Sequence, residues 1–219
     1  MFKIYYFIKS DPALVIGEHV AGALRQVCPS LDAAIFSAAI QDAIPDRPSA
    51  PHGVLELWYE QQDDTAVLAQ LSIDDLFESN VETVSVLAGM ERTVMRKPDF
   101  YDTDGVKGIY AFRRKKTMAV DDFQHYWWHH HGPIAAQTEN ATCYVQCHVT
   151  KDLYHDATPA FDGVTELYWP DMPTALASIG SRQMIEDQSN DARNFVDLES
   201  VDLMIAKQHT IIPPWKESL

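Results

Sequence analysis

Short runs of alternating apolar and polar residues recur along the chain, and a two-residue period of this kind predicts β-strands. The second half carries four such runs: VKGIYAFR at 106–113, TCYVQCHV at 142–149, GVTELYW at 163–169 and SVDLMIAKQHTII at 200–212. Each run is short enough for one strand, and each is followed by a polar or turn-forming stretch. The pattern therefore predicts at least four strands in this half.

Two stretches between these strands follow the three-to-four-residue spacing of a helix. The first is AVDDFQHYWWHHH at 119–131, whose acidic residues lie near the positive N-terminal end of the predicted helix. Gly132-Pro133 is expected to end or sharply bend it. MPTALASIGSRQM at 172–184 predicts a second helix, whereas NDARNF at 190–195 is too polar to assign.

The first half of the chain repeats the order of these patterns. FKIYYFIK at 2–9 aligns with VKGIYAFR, and HGVLELWYE at 52–60 aligns with DGVTELYWP at 162–170, with Glu56 and Glu166 in step. Two blocks in the same order indicate an internal repeat. The polar run MRKPDFYDTDG separates the copies.

The repeat predicts the domain organisation. Residues 1–97 form a degenerate copy, 98–105 a linker, 106–213 the better copy and 214–219 a tail. Each copy reads strand, helix, strand, strand, helix, strand, which is the ferredoxin-like unit. One such unit leaves a sheet face bare. We therefore predict an α+β fold in which two ferredoxin-like units pack sheet to sheet as a barrel within one chain, with a cavity between the sheets.

One motif supports a family resemblance. The run F-x-x-Y-W-x-x-x-H-G-P, followed by YVQCHV and FDGVTELYW, resembles the EthD family of the dimeric α+β barrel superfamily; its residues are Phe123, Tyr126, Trp127, His131, Gly132 and Pro133. The resemblance covers about 106–212 well and 2–95 only faintly, since AGALRQVCPS stands where the motif should fall. It implies a functional second half. Members include dehydratases, decarboxylases and accessory proteins, and relatives include lactone isomerases, so the fold does not settle the function.

Strand alternation selects the side chains expected to line the cavity. A carboxylate needs a partner on a helix-covered face, which places Glu166 and Tyr168 toward the barrel interior. The apolar set of 142–149 is expected to face the helices, which leaves Tyr144, Gln146 and His148 inward. Tyr110, Phe112 and Asp202 complete the predicted lining. This pocket, mostly aromatic with a few titratable groups, is typical of a small-molecule site.

The histidines next to Trp127 allow three interpretations: a metal site, a catalytic site or an ordinary helix end. At about 100° per residue, His130 shares a stripe with Phe123, Tyr126 and Trp127, His131 flanks it, and His125 and His129 point away. Consecutive histidines cannot converge on one ion, so we predict no metal. The resemblance falls on His131, which makes it a catalytic candidate.

Composition excludes several functions. Seventeen Lys and Arg against 32 Asp and Glu give a formal net charge of −15, which repels nucleic acid and anionic membranes. No apolar run is long enough to span a membrane, and Cys28, Cys143 and Cys147 fit reduced thiols, so a cytoplasmic protein is expected. Nucleotide-binding, hydrolase and zinc-protease motifs are absent. A histidine alone does not predict haem.

The sequence thus favours a cofactor-independent lyase or isomerase of the decarboxylase or dehydratase type, acting on an aromatic or unsaturated carbonyl compound or carboxylic acid. The expected partner is a small aromatic or polyketide-like molecule. His131, His148 and Glu166 are the predicted proton carriers. Tyr110, Tyr126, Trp127, Tyr144, Tyr168 and Asp202 are the predicted substrate-binding residues. A non-catalytic binding protein of a degradation pathway and a cofactor-free monooxygenase remain as alternatives, and a homodimer through a sheet edge is left open.

Overall fold

The computed structural model describes residues 1–9, 18–44, 52–60, 82–98, 105–156 and 158–213. Residues 99–104 of the predicted linker and the predicted tail at 214–219 lie outside these ranges. The strands are β1 Phe2–Lys9, β2 Ala33–Ala39, β3 Gly53–Tyr59, β4 Glu82–Arg96, β5 Val106–Arg114, β6 Cys143–Val149, β7 Gly163–Trp169 and β8 Val196–Ile212. The helices are α1 Glu18–Val27, α2 Val120–Tyr126, α3 Gly132–Ala135, α4 Leu153–Asp156, α5 Met172–Ile179 and α6 Ser189–Ala192, with π-helical segments π1 Trp127–His131 and π2 Gln183–Gln188.

The described strands form one closed antiparallel barrel in the order β1-β3-β2-β8-β5-β7-β6-β4. The predicted fold class, two ferredoxin-like units packed sheet to sheet, is therefore wrong. Two long strands join the halves into one sheet instead of two. β4 has 15 residues and pairs first with β1 and then with β6. β8 has 17 residues and pairs first with β5 and then with β2. Their neighbours have only seven to nine residues, so each long strand extends into the other half and removes a free sheet edge.

The barrel interior is filled by side chains from both halves. One cluster joins Tyr5 and Leu87 of the first half to Ile109, Cys147 and Val164 of the second. These five residues are at most 1% exposed. Packed side chains thus occupy this part of the interior, where a ligand pocket between two sheets was expected.

The helical run through the histidines continues past Gly132-Pro133, where the sequence predicts an end or a sharp bend. Gly132 keeps helical dihedrals, with φ −50° and ψ −53°, and its N–H bonds to the carbonyl of Trp127, five residues earlier. A proline in an α-helix clashes with the carbonyl four residues before it. The wider π turn before Pro133 changes this spacing, and α3 continues the run.

Candidate functional site

A cavity of about 180 Å³ lies between the second-half sheet and the helical segments that cover its outer face. Most of its lining is apolar, with a few hydroxyl, amide and imidazole groups, which is the makeup of a small-molecule site. Its lining residues are Tyr110, Phe112, Trp127, His131, Thr165, Leu167, Met184, Gln188, Ser189, Ala192, Phe195, Val196, Leu198 and Val201.

Both π-helical segments border this cavity. π1 contributes Trp127 and His131, and π2 contributes Met184 and Gln188. π turns are rare in proteins and are frequently found at functional sites. Their meeting at one cavity distinguishes this place from the rest of the described fold.

The π1 turn also decides which histidine enters the cavity. An ideal α-helix would bury His130 with Phe123 and Trp127 and leave His131 at the flank. The structure shows the reverse: His131 is 8% exposed and lines the cavity, whereas His130 is exposed. Because a π turn holds one residue more than an α turn, His131 takes the position expected for His130.

His131 is held by a carboxylate. Its Nδ1 lies 2.8 Å from Oδ2 of Asp191, and the Tyr126 hydroxyl donates to Oδ1 of the same carboxylate at 2.7 Å. The Asn194 amide donates to the Tyr126 oxygen at 3.1 Å. Since an ionised carboxylate only accepts, Nδ1 carries the hydrogen of this bond. Nε2 of neutral His131 is then the basic nitrogen, and it has no hydrogen-bond partner within the described residues.

The hydrogen bonds around the His131–Asp191 pair stabilise the charged form of Asp191. The hydrogen bond from His131 lowers the pKa of Asp191 against the opposing effect of burial, and the bond from Tyr126 adds to it. The bond to Asp191, followed by burial, raises the pKa of Tyr126. Asp191 is therefore ionised at neutral pH and Tyr126 is protonated. The imidazole is oriented by a fixed negative charge.

Aromatic rings form the wall behind His131. The Trp127 ring lies 5.0 Å from Phe112 and 5.6 Å from Phe123 between centroids, and Phe195 lies 4.9 Å from the His131 ring. Trp127 also passes close to the sheet at Gly163, where a Cβ atom would lie 2.5 Å from the indole. Only glycine there allows this packing.

Some of the predicted site residues meet at this cavity. Tyr110, Trp127 and His131 line it, and Tyr126 reaches it through Asp191. Tyr110 lies on the helix-covered face of β5 and not in the barrel interior, so its predicted orientation is wrong. Asp202 lies half-buried in β8 opposite Ala111 and is not a lining residue.

The predicted orientation of β6 is also wrong. Tyr144 packs with Leu167 and Trp169 under the helices, and His148 stacks on Trp127 at 4.5 Å between centroids. Every residue of β6 is buried, so both faces needed apolar side chains and the alternation gave no direction. Gln146 accepts from His148 at 2.9 Å, and burial, followed by the charge of Arg92, lowers the pKa of His148 to about 3. His148 is thus neutral and does not line the cavity.

Glu166 faces the barrel interior, as predicted, but lies in a network of buried charges. Its carboxylate contacts Lys3 and lies 3.5 Å from Lys107, while Tyr5 and Tyr168 each donate to it at 2.6 Å. Burial by itself would raise the pKa of Glu166, but the charges of Lys107 and Lys3 outweigh it and hold the pKa well below its usual range. Glu166 and Tyr168 are separated from the cavity by the sheet.

The network has a counterpart from the other half of the chain. Glu56 lies 2.5 Å from Lys107 and 2.7 Å from Lys3, and all four charged groups are fully buried. Burial opposes the charge on Lys3, but Glu166, Glu56 and Glu91 raise its pKa well above the usual value. Each lysine thus contacts a glutamate from both halves, and the ions are paired throughout.

Sequence reasoning missed Asp191, Gln188, Lys3 and Lys107. Asp191 lies in the polar run NDARNF, whose composition predicts no element, and forms part of α6. Lys3 and Lys107 occupy matching positions in the two aligned copies, and this match is a sequence signal that could have identified them. No sequence signal identifies Gln188, because its position depends on π2.

The exposed histidines stand apart from other metal-ligating side chains in the described part of the chain. Among the described residues, no group of three or more His, Cys, Asp or Glu side chains could hold a metal ion. His125 and His129 face solvent with ring centroids 4.4 Å apart. No described helix is both long and apolar enough to cross a membrane.

Comparison with known proteins places an EthD domain in the second half. Residues 115–199 match the EthD domain model, a range that includes His131, Gln188 and Asp191. An EthD family protein from Bacillus halodurans C-125 aligns at 16% identity with a TM-score of 0.38, covering 46% of this chain and 94% of that one. The family resemblance drawn from the motif at 123–133 is confirmed by the domain match. No curated protein sequence matches the chain.

Solved structures resemble the whole chain. An anthrone oxidase-like protein aligns over 100% of this chain and 96% of its own, at 10% identity and a TM-score of 0.57. A mutant chlorite dismutase from Candidatus Nitrospira defluvii covers 96% of this chain and 92% of its own, at 9% identity and a TM-score of 0.57. At such identities the likeness shows a shared fold alone.

Proposed function

We propose that this chain, whose residues 115–199 carry an EthD domain, is a cofactor-independent lyase or isomerase that uses His131 as a general acid and base. Its substrate would be a small aromatic or unsaturated carbonyl compound bound in the cavity beside Trp127. The observation that carries this proposal is the His131–Asp191 pair at 2.8 Å, set in an apolar cavity between two π turns. The same chemistry was predicted for His148 and Glu166, which lie elsewhere, so the proposal assigns the proton transfer to His131.

The dyad supplies what proton transfer requires. Asp191 fixes the imidazole orientation through Nδ1 and stabilises the imidazolium that forms when Nε2 takes a proton. The low polarity of the cavity strengthens this attraction. Returned to a different carbon, the proton gives isomerisation; returned to a departing hydroxyl, it gives dehydration. Tyr110, as a lining hydroxyl, is proposed to polarise the carbonyl oxygen.

The neighbouring folds include an anthrone oxidase-like protein, so oxygenation without a cofactor is the competing reaction. It would also begin with proton removal by His131. The two reactions differ in whether molecular oxygen is consumed.

A turnover screen of metal-stripped protein with aromatic hydroxy-carbonyl and unsaturated carbonyl compounds tests the proposal, with oxygen uptake recorded in parallel. We expect conversion without oxygen uptake and a loss of about 100-fold or more in kcat for His131→Ala. His129→Ala is the matched control, since His129 is exposed in the same segment. Equal turnover by His131→Ala would refute the assignment. Uptake of oxygen would favour the monooxygenase, and ligand binding without any conversion would favour a binding protein.

A further inference from the structure

Gln188 is a second polar group of the cavity, and the surrounding hydrogen bonds fix how its amide is turned. Gln183 donates through Nε2 to the carbonyl of Ile134 at 2.8 Å, so the Gln183 oxygen is free to accept. That oxygen lies 2.7 Å from Nε2 of Gln188. An amide oxygen has no hydrogen to give, so Gln188 must present its nitrogen to it.

The hydrogen bonds of Thr138 independently indicate the same orientation of the Gln188 amide. Its hydroxyl donates to the carbonyl of Ala135 at 2.6 Å, which uses its only hydrogen. The Gln188 Nε2 atom lies 2.8 Å from this hydroxyl and therefore donates to it. Both amide hydrogens of Gln188 are thus committed. Its carbonyl oxygen has no hydrogen-bond partner among the described residues.

This oxygen is the polar atom of Gln188 that remains available to a ligand. Gln188 is 6% exposed and lines the cavity, so a ligand that fills the cavity displaces water from around its side chain. A ligand without a hydrogen-bond donor would leave this acceptor unsatisfied, which is unfavourable in an apolar site. A ligand with a hydroxyl group would satisfy it. The described lining also holds no Lys or Arg to pair with a carboxylate.

We infer that Gln188 is a specificity-determining residue that accepts a hydrogen bond from the ligand, and that the site selects neutral hydroxy-aromatic compounds over both hydrocarbons and carboxylates. The inference rests on the proposed function only for the location of the site. It deepens that function by naming the substrate class as phenolic or enolic. Binding measurements can test it without turnover.

The test uses three one-ring probes, because an apolar cavity of about 150 Å³ already holds benzene. p-Cresol, toluene and p-toluate are titrated separately into the full chain, and dissociation constants are read from NMR shifts. We expect p-cresol to bind roughly tenfold more tightly than toluene, as one added hydrogen bond allows, and more tightly than p-toluate. Equal binding of p-cresol and toluene would overturn the inference, as would tighter binding of p-toluate.

Variants identify the residue responsible. Gln188→Leu should remove the preference for p-cresol over toluene, while Gln137→Leu, an exposed glutamine on the same side of the fold, should keep it. His131→Ala removes a second possible acceptor but leaves Gln188 in place, so most of the preference should remain, and a failure of catalysis by His131 is separable from a failure of recognition by Gln188. A preference that survives Gln188→Leu and vanishes in His131→Ala would contradict the inference.

A measurement on the unaltered protein guards against misfolding of the Leu variant. The side-chain carbonyl ¹³C signal of Gln188 should move further with p-cresol than with toluene, in the downfield direction of a carbonyl that accepts a hydrogen bond. The same response to both probes would count against the role of Gln188.

Discussion

The barrel interior and the cavity beside His131 both bury polar groups, but they differ in what those groups leave unsatisfied. In the interior, Lys3, Lys107, Glu56 and Glu166 pair with one another across the two halves of the chain. In the cavity, hydrogen bonds fix Nδ1 of His131 and Nε2 of Gln188. Nε2 of His131 and the amide oxygen of Gln188 have no partner in the described structure. Buried polar groups with complete partners stabilise a fold, whereas an oriented group with a spare atom is suited to a ligand. The more heavily charged region is therefore the less promising place for chemistry.

Breaking the interior network should have the largest effect. Glu166→Gln removes a charge that faces two buried lysines, and loss of one partner from a buried ion pair typically costs about 3–5 kcal/mol. We expect a fall of this size in the free energy of unfolding, measured by urea denaturation. Glu139→Gln, at an exposed position, is the control and should change stability by less than about 0.5 kcal/mol. An equally stable Glu166→Gln variant would show that the network does not support the fold.

His148 should make the protein sensitive to acid, with a smaller effect. The folded chain keeps His148 neutral down to about pH 3, while the unfolded chain binds a proton near the ordinary pKa of 6.5. Stability from this group is therefore complete above pH 6.5 and is lost as the pH falls toward 3, at about 1.4 kcal/mol per pH unit within that window. At pH 5 the loss is about 2 kcal/mol.

Urea denaturation of the wild type and of His148→Gln at pH 7 and pH 5 measures this difference. The variant lacks the titrating group, so its stability should fall by about 2 kcal/mol less between the two pH values. Parallel behaviour of the two proteins would mean that His148 titrates normally in the folded state.

Asp191→Asn should have the smallest effect of the three and should act on activity. The amide can still accept from Nδ1 of His131, but it carries no charge to stabilise an imidazolium. We expect kcat to fall about tenfold in steady-state assays, because the imidazolium that forms during proton transfer loses its counter-charge. Asp187→Asn is the control, since Asp187 is exposed on π2. An unchanged kcat in Asp191→Asn would separate the two residues functionally.

Much of the element order could be predicted from the sequence, because the strands have clear alternation. Glu166 was placed correctly in the interior, since a charge needs a partner. Its surroundings could not be predicted, because Lys3 comes from a strand more than 160 positions away along the chain. Alternation failed in β6, where both faces are buried and the apolar side chains give no direction.

The candidate site was predictable only in part. His131 was found through a motif, although the helix periodicity favoured the burial of His130. A single extra residue in a π turn reverses that order, and no composition signal marks such a turn. Asp191 and Gln188 depend on the same kind of irregularity in the last helical stretch, where a polar sequence gave no pattern to follow.

The long β8 strand also limits when the barrel can close during translation. Ala34 pairs with Ile212, so this edge of β2 stays uncovered until β8 has been synthesised. Pairings this distant in sequence slow folding. During translation the first four strands have no way to close, and their exposed edge is open to other nascent chains. Chains whose β8 has not yet emerged from the ribosome should therefore be the stage at which this protein depends most on chaperones.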